Sequence, residues 1–495
     1  MQKKLLAAAV LSAFSGVAAA QSANVTLYGT LLGDFQFANA NGGDATTGAG
    51  GTGTAPAGVN SSARTAGSYT NTPANQGTRT RMNPAGSNFG LRGTEDLGNG
   101  LQAWFQLEVS ATLGAPSGVP DGINHGNALT YRNSAVGLRS NTWGSVSVGM
   151  WDTPFNVAGY STMNANGRSG NATVGLLSNQ LGALGQIGAG GAWSGQNEFA
   201  ACLAGAQSTG AGCLNAGTNF DRRQKGILQW WSPNWSGFEG RVAYSATNFS
   251  DAVTAGNQNV AGAAGAVVAR AGGALKPAIW DFSVAYNNGP LALGYAYERQ
   301  NDLLAYSAAV SSLGLAGTAG AGAIASGSGT GAYTITGNTV SGSRGTGHRL
   351  GGKYAFDLGG GSSIGVGAMW ERLNYDLSYS GAVNTDLTNL RHSSWRLQGN
   401  WTTGNHFVAL EYARTPEIKG SITGPVNNFN GGGTGVRSWM LSYNYAFSKR
   451  TSVTAYYVSI NNDTNASTSG ITFGGIATAA GADPKYYGLN LKHTF

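Results

Sequence analysis

The chain has little charge: only 10% of its 495 residues are Asp, Glu, Lys or Arg. A solvated disordered chain carries more charge and fewer rings than the 12 Trp, 20 Tyr and 17 Phe present here. Cysteine is nearly absent, at 2 residues, which excludes a small disulfide-stapled scaffold. No run of about 18 apolar residues follows the N-terminus, which excludes a helical membrane protein. HExxH and phosphate-loop signatures are missing, Gly359 to Gly367 reads as a turn followed by a strand, and no Ser–His–acid set stands out. His125, His348, His392, His406 and His493 show no close metal spacing. No enzyme, cofactor or metal is therefore expected. No Lys/Arg stripe occurs, so nucleic acid is not an expected partner. What is abundant is Gly, at 80 residues, without the period of collagen. Low charge with many Gly and aromatic residues fits a β-rich protein with a polar inside and an apolar outside.

Residues 1–20 read as a secretory signal peptide. Lys3 and Lys4 form a basic head, Leu5 to Val17 an apolar stretch, and Ala18, Ala19 and Ala20 a small-residue cleavage site. The stretch is too short to span a membrane as a helix. Removing it takes two charges from the formal net +7 and leaves residues 21–495 as one unit.

The exported chain opens on a period-two pattern. Val25, Leu27, Gly29, Leu31, Gly33, Phe35 and Phe37 share one face, and Thr26, Tyr28, Thr30, Leu32, Asp34 and Gln36 the other. Such alternation marks a strand with one apolar face. It recurs over 86–97, 100–112, 129–142, 144–153, 221–232, 238–248, 278–288, 290–302, 347–358, 362–378, 389–403, 406–418, 435–448, 450–463 and 485–495. With the first strand that makes sixteen. Short turns rich in Gly, Asn, Pro and Ser alternate with long connections at 38–85, 113–128, 154–220, 249–277, 303–346, 379–388, 419–434 and 464–484. A sixteen-stranded antiparallel transmembrane β-barrel is expected, with short periplasmic turns at one rim and long external loops at the other. Tyr28, Tyr244, Tyr286, Tyr297, Tyr354, Phe356, Tyr412, Tyr443, Tyr445, Phe447 and Tyr457 are read as outward interface aromatics. A large β-sandwich is the competing fold, but its second face would have to be less polar.

Three stretches resemble the general Gram-negative porins of the β-proteobacterial type. They are VTLYGTLLGDF (25–35), SNFGLRGTEDLGNGLQAWFQLE (87–108) and the terminus GLNLKHTF (488–495). The pattern covers essentially the whole exported chain. The resemblance implies a trimeric barrel in the outer membrane of a Gram-negative bacterium, surrounded by outer-membrane lipids. Its third external loop, here 154–220, would fold inward as a constriction. Terminal Phe495 resembles the signal read by the barrel-assembly machinery. The implied function is a water-filled channel for passive diffusion of ions and small hydrophilic solutes.

Alternation then assigns the wall. Inward bases are Arg92, Arg139, Arg223, Lys225, Arg241, Arg349, Lys353, Arg396 and Lys492. Inward acids are Asp34, Glu108, Glu239, Asp281, Glu298, Glu371 and Glu411. Fixed wall charge biases which ions enter, and this balance predicts a mild anion lean. The bland alternative is that these charges pair across neighbouring strands and stiffen the wall. Asn88 and Met150 stand where the family often has Arg, which argues against strong anion selectivity. The constriction carries few charges, namely Arg168 and Glu198 with Asp152 just before it. Cys202 and Cys213 lie in the same loop. In an oxidising compartment they form an expected disulfide, worth roughly 2–3 kcal/mol if strain is low. Two alternatives remain. One is a substrate-specific porin with saturable flux along inward Trp104, Trp151 and Trp231. The other is a largely closed structural or adhesive barrel.

Overall fold

The computed structural model describes residues 24–42, 75–83, 87–111, 132–163, 220, 223–246, 278–301, 339–380, 387–417, 419–422, 435–463 and 481–495. The signal segment, Arg168, Glu198, Cys202 and Cys213 lie outside the described residues.

Eighteen β segments form one sheet that closes on itself, and every pairing is antiparallel. β1 (Asn24–Asn41) pairs with β18 (Asp483–Thr494) on one side. On the other side it pairs with β2 (Gln76–Asn83) along one half and β3 (Asn88–Gly98) along the other. β2 and β3 are thus one interrupted stave. β13 (Leu387–Thr403) likewise pairs with both β14 (His406–Thr415) and β15 (Lys419–Ile422). That break falls beside Pro416, which has no N–H for the ladder. Eighteen segments with two interrupted staves make the sixteen strands expected.

The ring continues through β4 (Leu101–Ser110), β5 (Ser134–Ser140), β6 (Gly144–Asp152), β7 (Arg223–Trp231), β8 (Phe238–Ala246) and β9 (Ala278–Asn288). It is completed by β10 (Leu291–Asn301), β11 (Thr339–Gly359), β12 (Ser362–Ser380), β16 (Val436–Ala446) and β17 (Thr451–Asn462). The short turns follow local backbone demands. Gly98, Asn99 and Gly100 all take positive φ, at 85°, 53° and 77°, a conformation cheap for Gly and tolerated by Asn.

Outward positions are apolar and exposed, as a lipid-facing surface requires: Val25, Leu91, Val136, Leu228, Leu350 and Leu441 are examples. Inward positions hold the buried charged and polar side chains. Tyr28 departs from the interface reading. It shares the face of Asp34, and its hydroxyl donates to Glu108 Oε2 at 3.0 Å inside the barrel. The inner face is also not polar throughout. Near the long-loop ends of β16, β17, β18 and β1, Met440, Val458, Ile460 and Tyr486 form a buried apolar cluster.

Several strands run further toward the long loops than the alternation indicated. β11 starts at Thr339 rather than 347, and β13 at Leu387 rather than 389. These outer lengths rise past the lipid, so their outward positions turn polar and the alternation fades. A helix, α1 (Pro154–Met163), follows β6 where only a loop was expected. Thr153 caps it: its Oγ1 accepts from Asn156 N at 3.3 Å, and Pro154 takes the first helical position.

Candidate functional site: the inner wall and its docked helix

α1 packs inside the barrel against β9, β10 and β11. Phe155 is its anchor. Its backbone N–H donates to Asp281 Oδ2 of β9 at 3.0 Å, so a carboxylate satisfies one of the free N–H groups at the helix start. Arg349 of β11 holds the same residue from the other side. Its Nη1 donates to the Phe155 carbonyl at 2.9 Å, and its guanidinium lies over the Phe155 ring, 4.2 Å from the centroid. Arg349 Nε donates to Glu371 Oε2 of β12 at 2.8 Å, and Nη2 contacts the same oxygen. Arg349 and Glu371 are 1% and 0% exposed. A charge so withdrawn from water is retained only with partners of this kind.

The far end of the same connection returns to this place. Phe220, just before β7, packs on Phe155 at 5.6 Å and on Tyr375 of β12 at 5.6 Å. Gly347 makes room for it, since a Cβ there would stand 2.7 Å from the Phe220 ring. Asp152 ties the root of α1 to the wall. Its carboxylate accepts from Asn133 Nδ2 at 2.8 Å, Asn156 Nδ2 at 3.0 Å and Arg223 Nε at 3.1 Å.

The remaining wall residues divide by accessibility. Asp34 is fully buried and takes the Tyr456 hydroxyl on both oxygens, at 2.9 and 3.0 Å. Glu108 accepts from Tyr28 and forms an ion pair with Arg132, a partner absent from the alternation-based set because within the expected strand 129–142 it has the opposite parity to Arg139, whereas β5 begins only at Ser134. Arg396 pairs with Glu411 at 3.4 Å, both buried. Glu298 stands directly across the sheet from Asp281, and both are buried. By contrast Arg92, Arg139 and Lys353 are exposed, and Arg241 is half-buried. Arg92 lies over the Tyr28 ring at 5.1 Å, and Arg139 Nε donates to Gln102 Oε1 at 2.8 Å. Glu239 and Lys492 are half-buried near the short-turn rim. The Lys225 side chain lies outside the described set. The register also slips there, since Gly149 faces Ile227 while Met150 faces Lys225 and Gly226 is skipped. Alternation counted from Ile227 therefore does not carry back to Lys225.

Trp104, Trp151 and Trp231 meet on the inner face. Their centroids are 5.7 Å and 5.4 Å apart in that order, all three are half-buried, and Arg241 lies over Trp231 at 4.9 Å. The terminal Phe495 exchanges two backbone hydrogen bonds with Gly29, each 3.1 Å, and turns its ring outward.

A closed sixteen-strand barrel with an apolar exterior, a charged interior and a helix docked inside defines an outer-membrane channel barrel. The family model for Gram-negative porins matches residues 7–465, and the chain belongs to that family. Its place is accordingly the outer membrane of a Gram-negative bacterium. An outer membrane porin protein of Bordetella pertussis is 35% identical over 158 residues, which span 30% of this chain and 33% of that relative. The fold is similar to that of an anion-selective porin from Comamonas acidovorans. That comparison gives a TM-score of 0.50 and 19% identity over 96% of this chain and 100% of the other. OmpT of Vibrio cholerae, expressed in the outer membrane, aligns at a TM-score of 0.47 and 12% identity over 96% and 98% of the two chains.

Proposed function

We propose that the protein is a passive, water-filled channel for ions and small hydrophilic solutes, with a mild anion lean and no chemical step. One observation carries the lean. The inward acids Asp34, Glu108, Asp281, Glu298, Glu371 and Glu411 are at most 9% exposed and Glu239 is half-buried, whereas the inward bases Arg92, Arg139 and Lys353 are exposed and Arg241 and Lys492 are half-buried. Ions respond to the charge they can approach, so the accessible wall is net positive. The docking of α1 supports reading 154–220 as the constriction that narrows the lumen. Export by residues 1–20, a Cys202–Cys213 disulfide, assembly through Phe495 and a homotrimer complete the proposal; family membership supports the last two.

Bilayer recording under a KCl gradient tests it. Stepwise ohmic conductance with a small reversal potential of anion-selective sign is expected. A cation-selective sign would refute the lean, and closed barrels would favour the structural or adhesive reading.

A second reading has its own observation. The Trp104–Trp151–Trp231 track ending at Arg241 offers stacking faces beside a cation. It suits a ring-shaped solute, whose flux would then saturate. Liposome swelling with increasing sugar concentration separates the two readings, since linear flux supports general diffusion.

A further inference from the structure

The inner wall carries a side-chain cluster that unselective diffusion does not need. Trp104 of β4, Trp151 of β6 and Trp231 of β7 stand edge to face, with interplanar angles of 77° and 64°. Two of them are fastened at the indole N–H. Trp104 Nε1 donates to Ser145 Oγ at 3.0 Å, and Trp231 Nε1 donates to Gln229 Oε1 at 2.8 Å. Gln229 is itself fixed, since its Nε2 donates to the Asp152 carbonyl at 3.1 Å. Gly137 leaves Trp104 room to lie against the wall, because a Cβ there would stand 2.7 Å from the Trp104 ring nitrogen. Rings held this way are ordered before any solute arrives, so a solute that stacks on them loses little to their ordering.

A cation completes the cluster. Arg241 of β8 faces Trp231 directly across the sheet and lies over its ring at 4.9 Å. A guanidinium stacked on a ring keeps its in-plane N–H groups available for bonding. Among the described residues, no hydrogen bond or ion pair engages those of Arg241. Glu239, two residues along the same inner face, forms no ion pair with it and accepts from Asn234 Nδ2 at 3.3 Å. Arg349 and Arg396 find their carboxylates in the wall, whereas among the described residues Arg241 has none.

We propose that Trp104, Trp151, Trp231 and Arg241 form a binding subsite for aromatic monocarboxylates, of which benzoate is the simplest. The carboxylate accepts from the Arg241 N–H groups, and the aryl ring packs on the adjacent indoles. A neutral sugar would leave the cation unanswered, and a small aliphatic acid would leave the indoles unused. The acid reaches this wall only through a water-filled lumen, so the proposal rests on the reading of the barrel as an open channel.

The test is equilibrium dialysis of benzoate against full-length protein in detergent micelles, with empty micelles as the blank. Saturable binding is expected, and cyclohexanecarboxylate and benzamide should each bind about fivefold more weakly. R241Q should weaken benzoate binding about tenfold, and R241K should restore part of the loss. W231L should weaken it about fivefold. K449Q, in the turn between β16 and β17, should bind normally. Thermal midpoints show which variants fold; if R241Q or W231L does not, the three probes on wild type decide. In bilayers, benzoate should lower the KCl conductance of wild type in a saturating manner and leave that of R241Q unchanged. Equal binding of the three probes, no saturable binding by wild type, or unaltered binding by a folded R241Q would overturn the proposal. Channels that conduct without binding benzoate overturn this inference alone, whereas barrels that never conduct overturn the channel reading whatever binds in micelles.

Discussion

Two walls of the barrel use arginine in opposite ways. Arg349 and Arg396, on β11 and β13, are withdrawn from water and bonded to Glu371 and Glu411, and Arg349 also grips the start of α1. Arg92, on β3 and half the ring away from β11, is exposed over Tyr28, and Arg139 on β5 is exposed beside Gln102. The first pair holds the helix and the wall in place, while the second stands exposed on the inner face. A count of inward charge treats all four alike. The difference between buried and exposed charge is what bears on selectivity.

The sharpest way to break this comparison is to remove the clamp. R349A leaves Glu371 buried without its cation and releases Phe155, at a cost of about 3–5 kcal/mol. Lower thermal stability and noisier, larger single-channel currents should follow. Next, R92E/R139E should carry the reversal potential toward or past zero, with stability changed by no more than about 0.5 kcal/mol per site. T153A removes the cap of α1 and should cost about 1 kcal/mol, visible as more frequent current fluctuations at unchanged ion preference. The smallest effect concerns salt. Raising KCl from 0.1 to 1 M shortens the screening length from about 10 Å to about 3 Å, so the selectivity of wild type should shrink while the clamp is unaffected.

The strands were legible because each needs only its own neighbours along the chain. In β10 the residues Leu291 to Asn301 alternate without a break, and the structure follows them. Tyr28 was misread because a ring was taken as an interface marker against the parity it shares with Asp34. Lys225 was placed by alternation that Gly226 interrupts. The partners of the charges were not legible at all. Phe155 and Asp281 are separated by 126 residues, and Arg349 and Phe155 by 194, so their meeting depends on barrel closure and on where α1 docks. The alternative that wall charges pair and stiffen the barrel describes Arg349 and Arg396 well, and it fails for Arg92.

The most direct test records reversal potentials of single channels under a KCl gradient for wild type, R92Q and R396Q. Arg92 and Arg396 both face inward, and only the former is exposed. An anion-selective potential in wild type that moves toward zero in R92Q and stays put in R396Q is the predicted result. An R396Q shift as large as that of R92Q, or no shift in R92Q, would contradict the division between clamping and conducting charge.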